Sequence, residues 1–498
     1  MASLLLGYDV GSSSIKATLM QAETGRVLAS ATSPKKEMEI IAKKAGWAEQ
    51  QPQTWWQHVK TATLQIKTAT RFSPGDVKAI GISYQMHGLV AVDKNGQVLR
   101  PSIIWCDSRA VEIGRKAADG IGRPRCLKAL LNLPGNFTAS KLAWVKANEP
   151  AVYRRIHKIM LPGDYIAYCM TGQIRTTPSG LSEGILWDYR RQALAQLVLD
   201  YYSIDADLIP DLVPTFSEQG ELTSAAAKEL GLRAGTVIAY RAGDQPNNAL
   251  SLNVLNPGEV ATTAGTSGVV YGISAKERYD PKSRVNTFVH VNHGPRSPRY
   301  GVLLCVNGTG ILNSWLKHHV VDGLDYPQMN AMAEKVPVGS DGLVVLPYGN
   351  GAERTLENDN IGAMIARLGL NIHTKAHLLR AAQEGIVFAL KYGLDIMQEH
   401  AGVKAQTVRA GHANMFLSPL FAKAFATVTG ATVELYNTDG SQGAARGAGI
   451  GAGIYRDPKK AFVGLDRKKV VRPDSKTKAP YQDAYAHWKE VLNRQLRA

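Results

Sequence analysis

No stretch of the chain comes near the eighteen or so consecutive apolar residues of a membrane span, so no transmembrane helix is expected. The opening "MASLLLGYDVG" lacks a basic leading region, and Gly7 and Asp9 break its apolar run, which argues against a signal peptide or an anchor. Cysteine is scarce: Cys106, Cys126, Cys169 and Cys305 are scattered, with no CxxC pair and no metal-ligand spacing. That excludes a disulfide-built scaffold and a cysteine zinc site, and it suits reduced thiols in a cytoplasmic protein. A GxxxxGK[ST] run is absent too, so phosphate binding by a P-loop is excluded.

Charge is not scarce, but it is diffuse. The net charge is +16 and the pI about 9.5, yet the densest clusters (Lys35-Lys36, Lys43-Lys44, Lys459-Lys460 and "DRKKVVR") carry no interleaved aromatics. Solvated faces account for them, and no specific nucleic-acid partner is expected. A mildly positive surface suits a small anionic substrate such as a nucleotide equally well.

The 498 residues exceed the size at which one hydrophobic core stops growing, so two domains are expected, 1–250 and 251–498. "SLLLGYDVGSSSIKATLMQAETGRVLAS" reads as strand, Gly/Ser turn, strand, turn and strand, and "GEVATTAGTSGVVYGIS" repeats the design about 250 residues later. An internal duplication follows. Helical patterns ("QTWWQHVKTATLQIKTA", "ASKLAWVKANEP", "TKAHLLRAAQEGIVFALKYGLDIMQEH") alternate with strands ("VKAIGISY", "LVAVD", "GLVVLPY", "VELYN"), which argues for an α/β fold. "GSQGAARGAGIGAGIY" reads as a Gly/Ala helix able to lie very close to its neighbour.

Four short stretches carry chemistry. In "DVGSSSIK", a tight turn at Gly11 would leave backbone N–H groups, Ser12, Ser13 and Lys16 around one concavity suited to phosphate oxygens, with Asp9 a hard donor for Mg²⁺. An ordinary hairpin has the same look, but "AGTSG" offers a second glycine-flanked hydroxyl pair, Thr266 and Ser267, and the two loops together point to nucleotide phosphates. "VRAGHANMFL" gives a small-residue turn, Gly411-His412-Ala413-Asn414, against which an adenosine can lie; a plain helix cap reads the same way in isolation. In "AGDQPNNAL", Asp244 at a strand end can accept a hydroxyl proton, or merely cap the next helix. Finally "ISYQMHGLVAVD" sets a polar knot between apolar half-strands: Met86 offers an adaptable wall and His87 a directional donor or acceptor, although a satisfied core histidine is the commoner case.

The segments "YDVGSSSIKA", "QMHGLV", "PSIIWCDSRA", "FTASKLAWVK", "LPGDYIAYCMTG", "AGDQPNNA", "AGTSGVVYG", "LPYGNGAERTLENDN" and "GAARGAGIGAG", in this order, resemble the FGGY carbohydrate kinases, and most of all their xylulose-phosphorylating branch. The resemblance implies two ribonuclease H-like domains of the actin and hexokinase type with the active site in an interdomain cleft. It makes Asp244 the catalytic base and Asp9 the metal-associated carboxylate. Met86, His87, Asp244 and Gln245 become sugar contacts. Gly11, Ser12, Ser13, Lys16, Gly265, Thr266, Ser267, Gly308, Gly310, Gly411, His412 and Asn414 become nucleotide contacts. ATP and Mg²⁺ are the implied co-substrate and cofactor, D-xylulose at its 5-hydroxyl the implied acceptor, and a homodimer a candidate assembly. Kinases for ribulose, glycerol or gluconate share the phosphate features, and a nonenzymatic ATP-binding sugar sensor is the rival outside catalysis.

Overall fold

The computed structural model describes residues 3–497; Met1, Ala2 and Ala498, which fall within the two expected domains, lie outside that range. Contacts divide the chain into two units. The first comprises the chain up to Asn253 together with Phe288–Arg299 and Thr438–Leu465, and the second comprises Val254–Thr287, Tyr300–Asn437 and the chain from Asp466 onward.

The first unit is built on a five-stranded sheet in the order Val237–Gly243, Val77–Tyr84, Leu4–Val10, Ile15–Gln21, Val27–Ser33. Leu4–Val10 is nearly all apolar because it is central: it pairs antiparallel with Ile15–Gln21 on one side and parallel with Val77–Tyr84 on the other. The helix Pro52–Ala69 covers one face. It starts with proline at its first turn and buries Trp55, Val59, Ala62 and Ile66 at helical spacing.

The opposite face carries the Gly/Ala helix, Gly440–Gly451, and its composition is explained by distance. A Cβ placed on Gly7 would stand 2.0 Å from the Ser441 carbonyl oxygen, and one on Gly81 2.0 Å from that of Ala444. From the helix side, a Cβ at Gly447 would strike the Tyr240 ring at 2.6 Å and one at Gly451 the Ala239 carbonyl oxygen at 1.8 Å. Helix and sheet thus meet backbone to backbone. Although the helix lies late in the sequence, it belongs to the first unit.

A seven-stranded sheet carries the second unit, in the order Asn286–Val289, Tyr300–Val306, Gly268–Ser274, Val260–Ala264, Thr407–Gly411, Thr432–Tyr436, Arg467–Val471. Its five strands from Tyr300–Val306 to Thr432–Tyr436 repeat the connectivity of the first sheet: a hairpin, a third antiparallel strand beside it, then two parallel strands on the far side of the first. The duplication read from two Gly/Ser loops is therefore a duplication of topology. The long helix Lys375–Ile396 and the helix Ser475–Gln495, whose Trp488 is buried, fill this unit's core. Among the described residues no helix is long and apolar enough to cross a membrane.

Candidate functional site

Asp9 sits in the last turn of pleat of Leu4–Val10, and the chain reverses through Gly11–Ser14 before Ile15. Gly11 does not take a left-handed φ; its glycine avoids a contact, since a Cβ there would lie 3.1 Å from the Ser14 carbonyl oxygen. The loop is tied down from outside: Gln50 donates to the Ser12 carbonyl at 2.7 Å, the Met38 N–H to that of Ser13 at 2.9 Å, and the Trp105 indole to the Ser12 hydroxyl at 3.3 Å. Ser13 is exposed. Lys16 pairs with Asp439 at 2.7 Å, a partner the sequence did not announce.

Asp9 Oδ1 accepts from the Ser83 hydroxyl at 2.8 Å. Burial raises the Asp9 carboxyl above the usual carboxylate range and Asp439 adds to the rise, while Ser83 and Lys16 oppose it. A Cβ at Gly440 would stand 2.3 Å from Asp9 Oδ2, so the start of the Gly/Ala helix packs directly against the carboxylate and only glycine fits there.

Asp244 opens the helix Asp244–Ser251 at the end of the strand Val237–Gly243. Two environments compete over its proton. Burial, then the neighbouring Asp9 charge, push the carboxyl up to about 7, against the Gln245 N–H that donates to it and the helix terminus that favours an anion. The next residues anchor the turn that leads into the Gly/Ala helix: Asn247 donates to the Gly440 carbonyl at 2.8 Å, and the Ser251 hydroxyl to that of Asp439 at 2.9 Å. Gln245 keeps a buried Oε1 with no hydrogen-bond partner.

The polar knot ends the central strand Val77–Tyr84, and the chain then joins a different two-stranded sheet through Val90–Val92. His87 takes φ 62°, uncommon for a residue with a side chain, which places its imidazole against Phe137 and Phe288 at centroid distances of 4.9 and 5.6 Å. His87 Nδ1 lies 2.9 Å from the Glu183 carbonyl oxygen, an acceptor, so Nδ1 carries the proton. Met86 is buried against the end of the strand Val237–Gly243: a Cβ built on Gly243, the residue before Asp244, would lie 2.6 Å from Met86 Cγ. Met86, His87, Asp244 and Asp9 thus gather at one end of this sheet.

Two residues of the cluster were not read from the sequence. Lys141, in the helix Thr138–Asn148, is fully buried and donates to the carbonyls of His87 and Ile104 at 2.8 and 2.9 Å; burial pulls its ammonium down to about 7. A lysine inside the apolar run "ASKLAW" was the available signal. Glu183 ends the six-residue helix Pro178–Glu183 and left no comparable mark. Arg241 is buried facing Asp164 at 3.7 Å.

In the second unit the hairpin loop Gly265–Ser267 is held at the start of the helix Gly310–His319, whose Gly310 and Ile311 N–H groups donate to the carbonyls of Gly265 and Thr266 at 2.9 and 3.2 Å. Glycine is needed at both approaches: a Cβ on Gly310 would stand 2.3 Å from the Gly265 oxygen, and one on Gly308 1.5 Å from the Pro347 oxygen. Glu353, also missed in the sequence, accepts from the Asn307 N–H at 2.9 Å and braces this turn. Asn414 lies beside the hairpin, its Nδ2 3.5 Å from where a Gly265 Cβ would be, while His412 donates its N–H to the Tyr436 carbonyl at 2.8 Å. The segments around residues 265, 310 and 414 therefore meet within one unit.

The two units thus repeat one α/β sheet topology, and the first carries a cluster of acids at one end of its sheet. The N-terminal domain model of the FGGY family of carbohydrate kinases matches residues 4–251 and its C-terminal domain model residues 260–454, and the chain belongs to that family. It is 30% identical over 471 residues to the xylulose kinase of Bacillus subtilis, covering 91% of this chain and 89% of the relative. Among solved structures it is similar to a xyloylose kinase from Brucella ovis (27% identity, TM-score 0.87, 99% of each chain). It also shares the fold of a gluconate kinase from Lactobacillus acidophilus (23% identity, TM-score 0.90, 100% of this chain and 99% of that one).

Proposed function

We propose that this carbohydrate kinase transfers the γ-phosphoryl group of ATP to the 5-hydroxyl of D-xylulose. The observation that carries the reading is the junction at Gly243, where Met86, the chain neighbour of His87, abuts the strand end that leads into Asp244. Buried, unpartnered acceptor atoms on Gln245 and Gln85 nearby suit a ligand rich in hydroxyl donors. The xylulose kinases among the relatives support the choice of ketose.

In this reading Asp244 accepts the proton of the 5-hydroxyl as that oxygen forms a bond to the γ-phosphorus and the bond to the ADP oxygen breaks. Met86 and His87 hold the sugar, the latter oriented by its Nδ1–H bond to Glu183 and by Phe137 and Phe288. Gln245 binds a sugar hydroxyl. Gly11, Ser12, Ser13 and Lys16 in the first unit, and Gly265, Thr266, Ser267, Gly308 and Gly310 in the second, bind phosphates through N–H and hydroxyl donors. Gly411, His412 and Asn414 receive the adenosine. Asp9, a hard oxygen donor beside Asp244 and Lys16 at the sheet end, is the residue that would hold Mg²⁺, and an ion there would neutralise phosphate charge.

The test is an acceptor panel (D-xylulose, D-ribulose, glycerol, D-gluconate) with coupled detection of ADP, with and without Mg²⁺. The expected result is a kcat/KM for D-xylulose well above the others and lost without the metal ion. Equal or greater turnover of another acceptor would replace the ketose assignment, and no acceptor-stimulated turnover would favour a sugar sensor.

The raised Asp244 carboxyl also sets a pH dependence. As pH falls through about 7 the carboxyl takes up a proton and can no longer accept one, so kcat/KM declines on the acid side. A profile flat from about pH 8 to about pH 5 would exclude Asp244 as base.

A further inference from the structure

The side chain of Glu183 is buried, and neither carboxyl oxygen meets a donor in hydrogen-bond geometry. Such a group is costly to keep, because a carboxyl removed from water without partners loses its solvation and gains nothing back. Its position adds further costs. It ends a helix, where the carbonyl ends disfavour an anion, and it faces the like charges of Asp244 and Asp164. Lys141 attracts it, but the Lys141 ammonium is committed to two backbone carbonyls, and Arg241 faces Asp164. Burial therefore drives the Glu183 carboxyl well above the usual carboxylate range; the Tyr84 hydroxyl beside it offsets this only in part. In that neutral form the group has one O–H donor and a carbonyl acceptor, and the Tyr84 hydroxyl can meet only one of them.

The place of this group links it to the acceptor. A Cβ on Gly243 would lie 2.6 Å from Glu183 Oε2 and equally 2.6 Å from Met86 Cγ, so the carboxyl sits against both the thioether wall and the residue that precedes Asp244. The Glu183 main chain holds the His87 ring. Met86 packs on the same glycine as the carboxyl, and a thioether with three rotatable bonds can yield to a ligand.

We infer that Glu183 is a specificity-determining residue of the acceptor site, hydrogen-bonding a hydroxyl of a neutral polyol or ketose and disfavouring acceptors that carry a carboxylate. The inference rests on the carbohydrate kinase reading of this site, not on D-xylulose in particular. A neutral hydroxyl completes the carboxyl as donor and acceptor. A sugar acid instead brings a negative charge beside the carboxyls of Asp164, Asp244 and Asp9, while the nearby cations Lys141 and Arg241 already face backbone carbonyls and Asp164.

The experiment compares Glu183→Gln and Glu183→Leu with the wild type, using the best neutral acceptor from the panel, its monodeoxy analogues and D-gluconate, with melting temperatures recorded. Glu183→Gln, which keeps a donor and an acceptor, should stay within a few-fold of wild type. Glu183→Leu should raise the acceptor KM by roughly tenfold, the worth of one hydrogen bond at its upper range, and leave the ATP KM unchanged. With one monodeoxy analogue the gap between wild type and Glu183→Leu should close, because the bonded hydroxyl is already gone. A gap that persists with every analogue, or a loss of kcat and melting temperature in both variants with the acceptor KM unmoved, would overturn the assignment and make Glu183 structural. If D-xylulose is a poor wild-type substrate but another neutral acceptor shows the closing gap, the ketose assignment fails and the role of Glu183 stands.

Discussion

If Asp244 is the base, Asp244→Asn should lower kcat by about 10³-fold, in the middle of the range for removing a general base, while acceptor and ATP binding change little. The amide keeps the size and the Gln245 N–H contact of the carboxylate but cannot take the hydroxyl proton. Stability moves the other way. The folded carboxyl titrates near 7 rather than near the ordinary 3.8, so the native state holds a proton that the unfolded chain has released. Ionising the native group therefore costs stability: the cost is absent at pH values below the unfolded pKa and fully present above about pH 7. Asn carries no such cost, and at pH 8 the variant should melt at or above the wild-type temperature. A variant that keeps more than a tenth of wild-type kcat removes Asp244 from the role of base; one that is inactive because it melts far below the wild type leaves the burial argument wrong. The two readouts together separate a lost base from a damaged fold.

Features whose physics is local could be read from the sequence, and features made by distant pairings could not. The helix Pro52–Ala69 was legible because its tryptophan and aliphatic residues recur at helical spacing behind a proline, and the two hairpins because Gly and Ser or Thr interrupt runs of strand formers. The closeness of the Gly/Ala helix to its neighbour was legible from composition, but the identity of that neighbour was not. Gly7, Gly81 and Tyr240 lie hundreds of residues away, and nothing in "GSQGAARGAGIGAG" names them. Glu183 shows the same limit at the site. In "SGLSEGIL" a lone acid reads as a solvated helix end, and only the fold reveals that Met86 and Gly243 close over it. Lys16 was read as a phosphate ligand from its place after the Ser run; that it faces Asp439 depends on a turn more than 400 residues later.

Gly81→Ala should be among the most destabilising single-methyl changes available in the first unit. The new carbon would lie 2.0 Å from the Ala444 carbonyl oxygen and 2.8 Å from its carbon, both backbone atoms that no rotamer change can move aside. Relief requires shifting either the central strand Val77–Tyr84, paired on both sides, or the whole helix Gly440–Gly451. Overpacking of this kind costs about 3 kcal/mol at the upper end of its usual range, several degrees of melting temperature in a domain of this size. Gly294→Ala is the matched control, since a Cβ there meets nothing within 4 Å and its φ is not left-handed. The effect should reach activity as well, because the displaced helix begins at the Asp439–Gly440 turn, where Gly440 packs against the Asp9 carboxylate. A gradual loss of turnover on warming, well below the melting temperature, is therefore expected in Gly81→Ala and not in Gly294→Ala. Equal melting temperatures for the two variants would mean that helix and sheet do not touch backbone to backbone, and the reason given for the glycines of both elements would fall with them.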